Sequence, residues 1–150
     1  MKKKKKLRKG VFFVVYAFER GKPIYVLLKR KLHWIGWEFP KAGVEKFETK
    51  RAAVKRETVE ETDLKPLKIK KFNFSGTFFF KKEFEDLRGV IGQTFSLFSV
   101  EVKKGKIKID PHEHSAYKWL LYKDALKTLT HKNQKESLKM VNDWLVSKLK

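Results

Sequence analysis

The chain has 150 residues, 41% of them hydrophobic and including 13 Phe and 4 Trp. That is enough apolar surface for one core and too little length for two, and it excludes wholesale disorder. Lys and Arg number 37 against 17 Asp and Glu, a net charge of +20, so the field of the chain selects a polyanion: nucleic acid, nucleotide phosphates or an anionic surface. The absence of cysteine excludes disulfides, thiolate zinc sites and cysteine nucleophiles, and with no need of an oxidising compartment the expected location is cytoplasmic.

Lys2 to Lys6, Arg8 and Lys9 make residues 1–9 a basic N-terminal arm that frames or extends the first strand. Residues 11–18 (VFFVVYAF) and 24–28 (IYVLL) predict a pair of strands joined by a turn at Glu19-Arg20-Gly21-Lys22-Pro23. Residues 29–48, rich in Trp, Gly and Pro, read as a long loop, which in a small domain is a functional one. Residues 49–62 (TKRAAVKRETVEET) lack Gly and Pro and predict a helix ended before Pro66. Residues 67–80 and 94–102 are strand-like, separated by a charged stretch at 81–92, and 116–122 is a further short strand. A short helix at 123–129 precedes 134–149, where Leu138, Val141, Leu145 and Leu149 recur at helical spacing. This order predicts one α/β domain over 1–150, a mixed sheet with helices against it. The apolar run 11–17 is too short to span a bilayer as a helix, and no amphipathic segment carries the basic residues, so no membrane partner is expected.

In the predicted helix, Glu57, Glu60 and Glu61 stand at i, i+3 and i+4, which puts three carboxylates on one face. Like charges so placed repel by roughly a few tenths of a kcal/mol per pair on an exposed helix, and a hard divalent cation such as Mg2+ or Mn2+ relieves that repulsion. The competing reading is a solvated face neutralised by Lys55, Arg56 and the surplus lysines.

The longer pattern decides between them. From Ala42 the chain runs through Glu48, seven residues, Arg56-Glu57, Glu60-Glu61 and Leu64, and over these 23 positions it resembles the Nudix hydrolase signature. Three positions depart from it: Ala42 and Asp63 replace the opening and closing glycines, and Phe47 replaces the glycine common before the first glutamate. The resemblance implies an α/β/α sandwich and a metal-dependent pyrophosphohydrolase. It implies that Glu57, Glu60 and Glu61 bind Mg2+ or Mn2+ together with a loop carbonyl at Lys41 or Ala42. Glu57 is a metal ligand or activates the attacking water, Arg56 holds it, and Glu48 supports the loop and helix. Glu113, six residues before Trp119, is the candidate for a further metal carboxylate from a distal loop. The neighbouring His112 and His114 read as surface residues rather than acid/base groups.

Residues 33–41 (HWIGWEFPK) and 113–120 (EHSAYKWL) further resemble the asymmetric diadenosine tetraphosphate hydrolases of that family. That likeness implies a dinucleoside polyphosphate substrate, with His33 and Lys41 on phosphates and Tyr117 stacked on a purine. Trp37 and Trp119 read instead as packing residues. Gln93 and Leu97 stand where the subgroup carries a Lys and a Tyr, which keeps two alternatives open: an RNA 5′-end pyrophosphohydrolase, and a catalytically weak module that binds RNA or nucleotide.

Overall fold

Strand β1 (Lys6–Glu19) alternates its apolar run between two cores: Phe12, Val14 and Tyr16 enter one, and Val11, Phe13, Val15 and Ala17 the other. Strand β2 (Lys22–Arg30) does the same with Tyr25 and Leu27 on one face and Ile24, Val26 and Leu28 on the other. A sheet buried on both faces explains why these segments read as continuous apolar runs. The computed structural model describes residues 6–79 and 90–149. Lys6 to Lys9 belong to β1 and extend it, while the rest of the basic arm lies outside the described residues, as do residue 80 and most of the charged stretch after it.

The remaining elements are β3 (Gly36–Glu38), β4 (Lys41–Gly43), α1 (Lys50–Thr62), β5 (Lys68–Phe79), β6 (Val90–Glu101), β7 (His114–Leu121), α2 (Tyr122–Thr128) and α3 (Lys132–Lys148). The sheet runs β3-β2-β1-β6-β5, with β4 also on β1 and β7 also on β2, and β1 with β6 is its parallel pair. Helices α2 and α3 cover the first core through Ala125, Leu138, Val141 and Leu145; α1 covers the second through Val54. The result is the expected α/β/α sandwich. No helix among the described residues is long and apolar enough to cross a membrane.

The stretch 29–48 differs from the expected loop, because it contains β3 and β4. Their cause is long-range. β1 and β2 pair with each other only over Tyr16–Glu19 and Lys22–Tyr25; beyond that point β4 takes the edge of β1 and β3 takes the edge of β2. Two three-residue strands fill the fork, too short to show any period in the sequence.

Helix α1 begins at Thr49, whose hydroxyl accepts from Ala52 N at 3.0 Å, and ends at Asp63, which adopts φ 61° and donates its N–H to Val59 O. Its buried side is small and partly polar: Ala53, Val54, Thr58 and Thr62, with both Thr hydroxyls donating to carbonyls one turn back. Propensity and capping define this helix, not an apolar stripe. Asp63 therefore does what the signature's glycine does at a left-handed cap.

Phe47 also takes a positive φ, 66°, at the position where the signature has glycine, and its side chain is 97% exposed. A bulky residue in this region costs about 1–2 kcal/mol, partly offset by the greater unfolded-state entropy of glycine. Phe47→Gly is expected to stabilise the protein by about 0.5–1 kcal/mol, seen as a higher Tm with unchanged activity.

Candidate active site

Arg56 organises the carboxylates of α1. Its Nε and Nη2 donate to the two oxygens of Glu48 at 2.8 and 2.9 Å, and its Nη1 donates to Glu57 Oε1 at 2.6 Å and to Glu60 Oε2 at 3.3 Å. Glu48 also accepts from the backbone N–H of Glu45, which closes the turn before the helix. These hydrogen bonds, the one from Arg56 foremost, hold the Glu48 carboxyl down at about 2 and push the Arg56 guanidinium up.

Beyond the helix lies a cavity of about 900 Å³ lined by side chains of three kinds. Glu57, Glu61 and Glu113 contribute acid; Arg8, Arg30, His33, Lys41 and Lys132 contribute base; Phe12, Trp34, Phe78 and His131 contribute rings. Ala42 lines it beside Gly43, as a member of β4 rather than of a free loop. Glu113 is fixed through its own carbonyl, which accepts from the backbone N–H of Lys31 at 2.9 Å. A methyl group at Gly10 would collide with Gln93, and one at Gly43 with Arg8, so both glycines make room for side chains of this cavity.

The acidic wall is under strain. Burial, then Glu113, Glu57 and Glu38, push the Glu61 carboxyl up to about 8, and burial raises Glu57 against the opposing pull of Arg56. Glu61 Oε2 is buried without a hydrogen-bond partner. An orphaned carboxylate oxygen among other carboxylates fits a hard divalent cation, and Glu57, Glu61 and Glu113 are the residues that would hold it.

Of the residues expected from sequence, the structure thus brings Glu57, Glu61, Glu113, Ala42, His33 and Lys41 to one cavity, with Arg56 and Glu48 behind Glu57. Glu60 is placed apart: it is an exposed partner of Arg56 and does not line the cavity among the described residues. Tyr117 is not brought there either. It stands opposite Leu28 on β7 and, with Trp119, packs on the α1 side of the sheet. Trp37 and Trp119 pack as expected, the first against the α2/α3 core and the second donating to Gly105 O at 3.0 Å.

Sequence reasoning missed a buried network. Glu38 is 1% exposed; its Oε2 lies 2.9 Å from His114 Nε2 and 3.3 Å from Arg30 Nη1, and its Oε1 lies 3.5 Å from Lys41 Nζ. Burial opposes the charge on Glu38, but His114, Lys41 and Arg30 outweigh it and hold the carboxyl below its ordinary value. Burial also pulls the Lys41 ammonium down, with Glu38 opposing. His114 is therefore a buried residue, not the surface residue its loop-like context suggests. His131 was missed as well: its ring meets that of Trp34, a residue of the motif at 33–41, edge to face at 4.5 Å on the cavity wall.

This fold and this carboxylate pattern are those of a known class. The NUDIX domain model matches residues 6–141, and the chain belongs to the Nudix hydrolase family. Nudix hydrolase 16, mitochondrial, of Arabidopsis thaliana is 32% identical over 122 residues, which cover 80% of this chain and 66% of that protein. Among solved structures, a C. elegans Ap4A hydrolase binary complex superposes with a TM-score of 0.73 at 22% identity, covering 94% of this chain and 99% of the other. The E. coli dihydroneopterin triphosphate pyrophosphohydrolase gives 0.72 at 21%, covering 89% and 95%. At these identities the two structures show a shared fold.

The raised Glu61 carboxyl has a consequence for stability. A carboxyl that holds its proton more tightly when folded contributes fully below its unfolded value near 4.5, and that contribution is lost as pH rises through about 8. In the presence of chelator, Glu61→Gln should melt a few degrees above wild type at pH 8, a gain of about 1–2 kcal/mol, and should melt with it near pH 4. Equal shifts at both pH values would contradict the placement of this charge.

Proposed function

We propose that this chain hydrolyses a pyrophosphate bond of a nucleoside polyphosphate in the presence of Mg2+ or Mn2+, with a dinucleoside polyphosphate such as diadenosine tetraphosphate as the favoured substrate. One observation carries the reading: a single cavity is lined by Glu57, Glu61 and Glu113, by Arg8, Arg30, His33 and Lys41, and by aromatic rings. Acid for a cation, base for phosphates and rings for a purine are the three parts such a substrate requires. The structural likeness to an Ap4A hydrolase and to a dihydroneopterin triphosphate pyrophosphohydrolase agrees with substrates of this kind.

A divalent cation held by Glu57, Glu61, Glu113 and the Ala42 carbonyl would lower the pKa of water and neutralise phosphate charge. The protein does the positioning. Arg56 fixes Glu57 through Oε1, leaving Oε2 to accept the proton of the attacking water as the bond to the bridging oxygen breaks and that oxygen leaves on the second phosphate. Lys41, Arg30, Arg8 and His33 hold the phosphate oxygens. Trp34, edge-on to His131 and 5.7 Å from Lys41 Nζ, takes the base-stacking role in place of Tyr117, which lies on the other side of the sheet. Glu60 assists through Arg56, as a member of the clamp.

The decisive assay supplies Mg2+ or Mn2+ with a panel of dinucleoside polyphosphates, nucleoside triphosphates and 5′-triphosphorylated RNA. Turnover should be found on a dinucleotide, and Glu57→Gln and Glu61→Gln should each lower kcat by about a hundredfold or more while remaining folded. Activity confined to RNA and steeply weakened by salt supports the RNA 5′-end alternative instead. Inactivity on the whole panel, or variants equal to wild type, favours a module that only binds.

A further inference from the structure

Glu61 and Glu113 share their corner of the site with His114, and one ligand-capable atom of each lies within 4.8 Å of the others. His114 is 3% exposed. Its Nε2 is engaged by Glu38 Oε2 at 2.9 Å, and its Nδ1 is buried with no hydrogen-bond partner. A buried polar atom left unpaired is destabilising, and Glu61 Oε2 in the same group is a second such atom.

Glu38 fixes which nitrogen is free. It is a buried carboxylate anchored by Arg30 and Lys41, and by engaging Nε2 it leaves Nδ1 as the ring nitrogen without a hydrogen-bond partner. A carboxylate behind one nitrogen of a buried ring, with the other nitrogen unpartnered and two further carboxylates grouped with that ring, is an arrangement by which proteins orient a histidine toward a metal. Register makes it possible: β7 shifts by a residue opposite Lys29 and Arg30, which pairs His114 with Arg30 and lets its ring meet Glu38 of β3 across β2.

We propose that His114 Nδ1 is a cation ligand in this protein, completing with Glu61 and Glu113 a mixed nitrogen and oxygen donor set that Glu38 orients from behind. The proposal rests on the metal-dependent reading above and extends it to the choice of ion. An imidazole added to carboxylates shifts preference from Mg2+ toward Mn2+ and the later first-row divalent ions, because Mg2+ gains little from a nitrogen donor.

The test uses Mn2+ alone, one equivalent, on the wild-type chain. Electron spin-echo envelope modulation should show coupling to a coordinated imidazole nitrogen, and 15N-labelling of histidine should change its frequencies. His114→Gln should abolish the coupling; His33, His112 and His131 remain in that variant, so the loss assigns the nitrogen. By calorimetry, the same variant should bind Mn2+ about tenfold more weakly and Mg2+ less than about threefold more weakly. The labelled wild-type protein carries the first half of the test without any substitution, so a variant that fails to fold does not blunt it. Mn2+ bound at one per chain without nitrogen coupling overturns the role of His114 and leaves the carboxylate site standing. Coupling that survives in folded His114→Gln also overturns it. Failure of the wild-type chain to bind Mn2+ at millimolar concentration overturns both this proposal and the metal-dependent function.

Discussion

The contact between Arg56 and three glutamates is the constraint on which the site depends. Glu57, Glu60 and Glu61 on one helix face repel one another, and the repulsion grows as the face is covered. One guanidinium divides them. It draws Glu60 and one oxygen of Glu57 outward and grips Glu48 with two bonds, while Glu61, one turn on, receives nothing from it. Because Glu48 also accepts from Glu45 N, the same clamp ties the turn at 45–48 to the helix. The geometry of the turn and the sorting of the carboxylates are thus one interaction, and the left-handed strain at Phe47 is tolerated where this clamp holds the backbone on both sides.

The cavity itself follows from the fork between β1 and β2. Two strands that stayed paired to their ends would leave no opening at the sheet's centre. They part after Tyr16 and Tyr25, and the chain from Gly36 to Gly43 enters the gap, bonding first to β2 and then to β1. Helix α3 and the connection before it lock that insertion from one side: Gln134 Oε1 accepts from Phe39 N at 2.7 Å, and Thr130 exchanges two hydrogen bonds with Trp37. Lys41, Ala42 and Gly43 are thereby presented to α1 on rigid backbone, which is where a binding site gains precision.

The α1 carboxylates were legible in the sequence because helical periodicity converts residue number into direction, whereas Glu113, His33 and Lys41 were named only through the family resemblance of the motifs around them. Glu38 and His114 were not legible. They are 76 residues apart and meet only because β3 and β7 flank β2 on opposite edges, a relation with no local signature. Tyr117 shows the same gap from the other side: it stands opposite Leu28 and not opposite Arg30, which lines the cavity, and that register is set by pairing with β2 and leaves no local pattern. The fork strands were hidden for a related reason, since three-residue strands made by long-range pairing carry no period to read.

The excess of lysine must be separated from the charge that acts in the site. A chain of +20 would, through its distant charges alone, ease every carboxylate toward ionisation. Glu61 goes the other way, up to about 8, under burial and its carboxylate neighbours. Short-range desolvation therefore outweighs the whole surface of lysines, as it must when exposed charges beyond about 10 Å are screened. The two scales then have different work. The surface field raises the encounter rate of any polyphosphate and also opposes the approach of a free cation, so a cation arriving already bound to its polyphosphate, with the pair's net charge negative, meets no such opposition. An acidic corner inside a basic cavity inside a basic surface is the arrangement that would admit such a pair together.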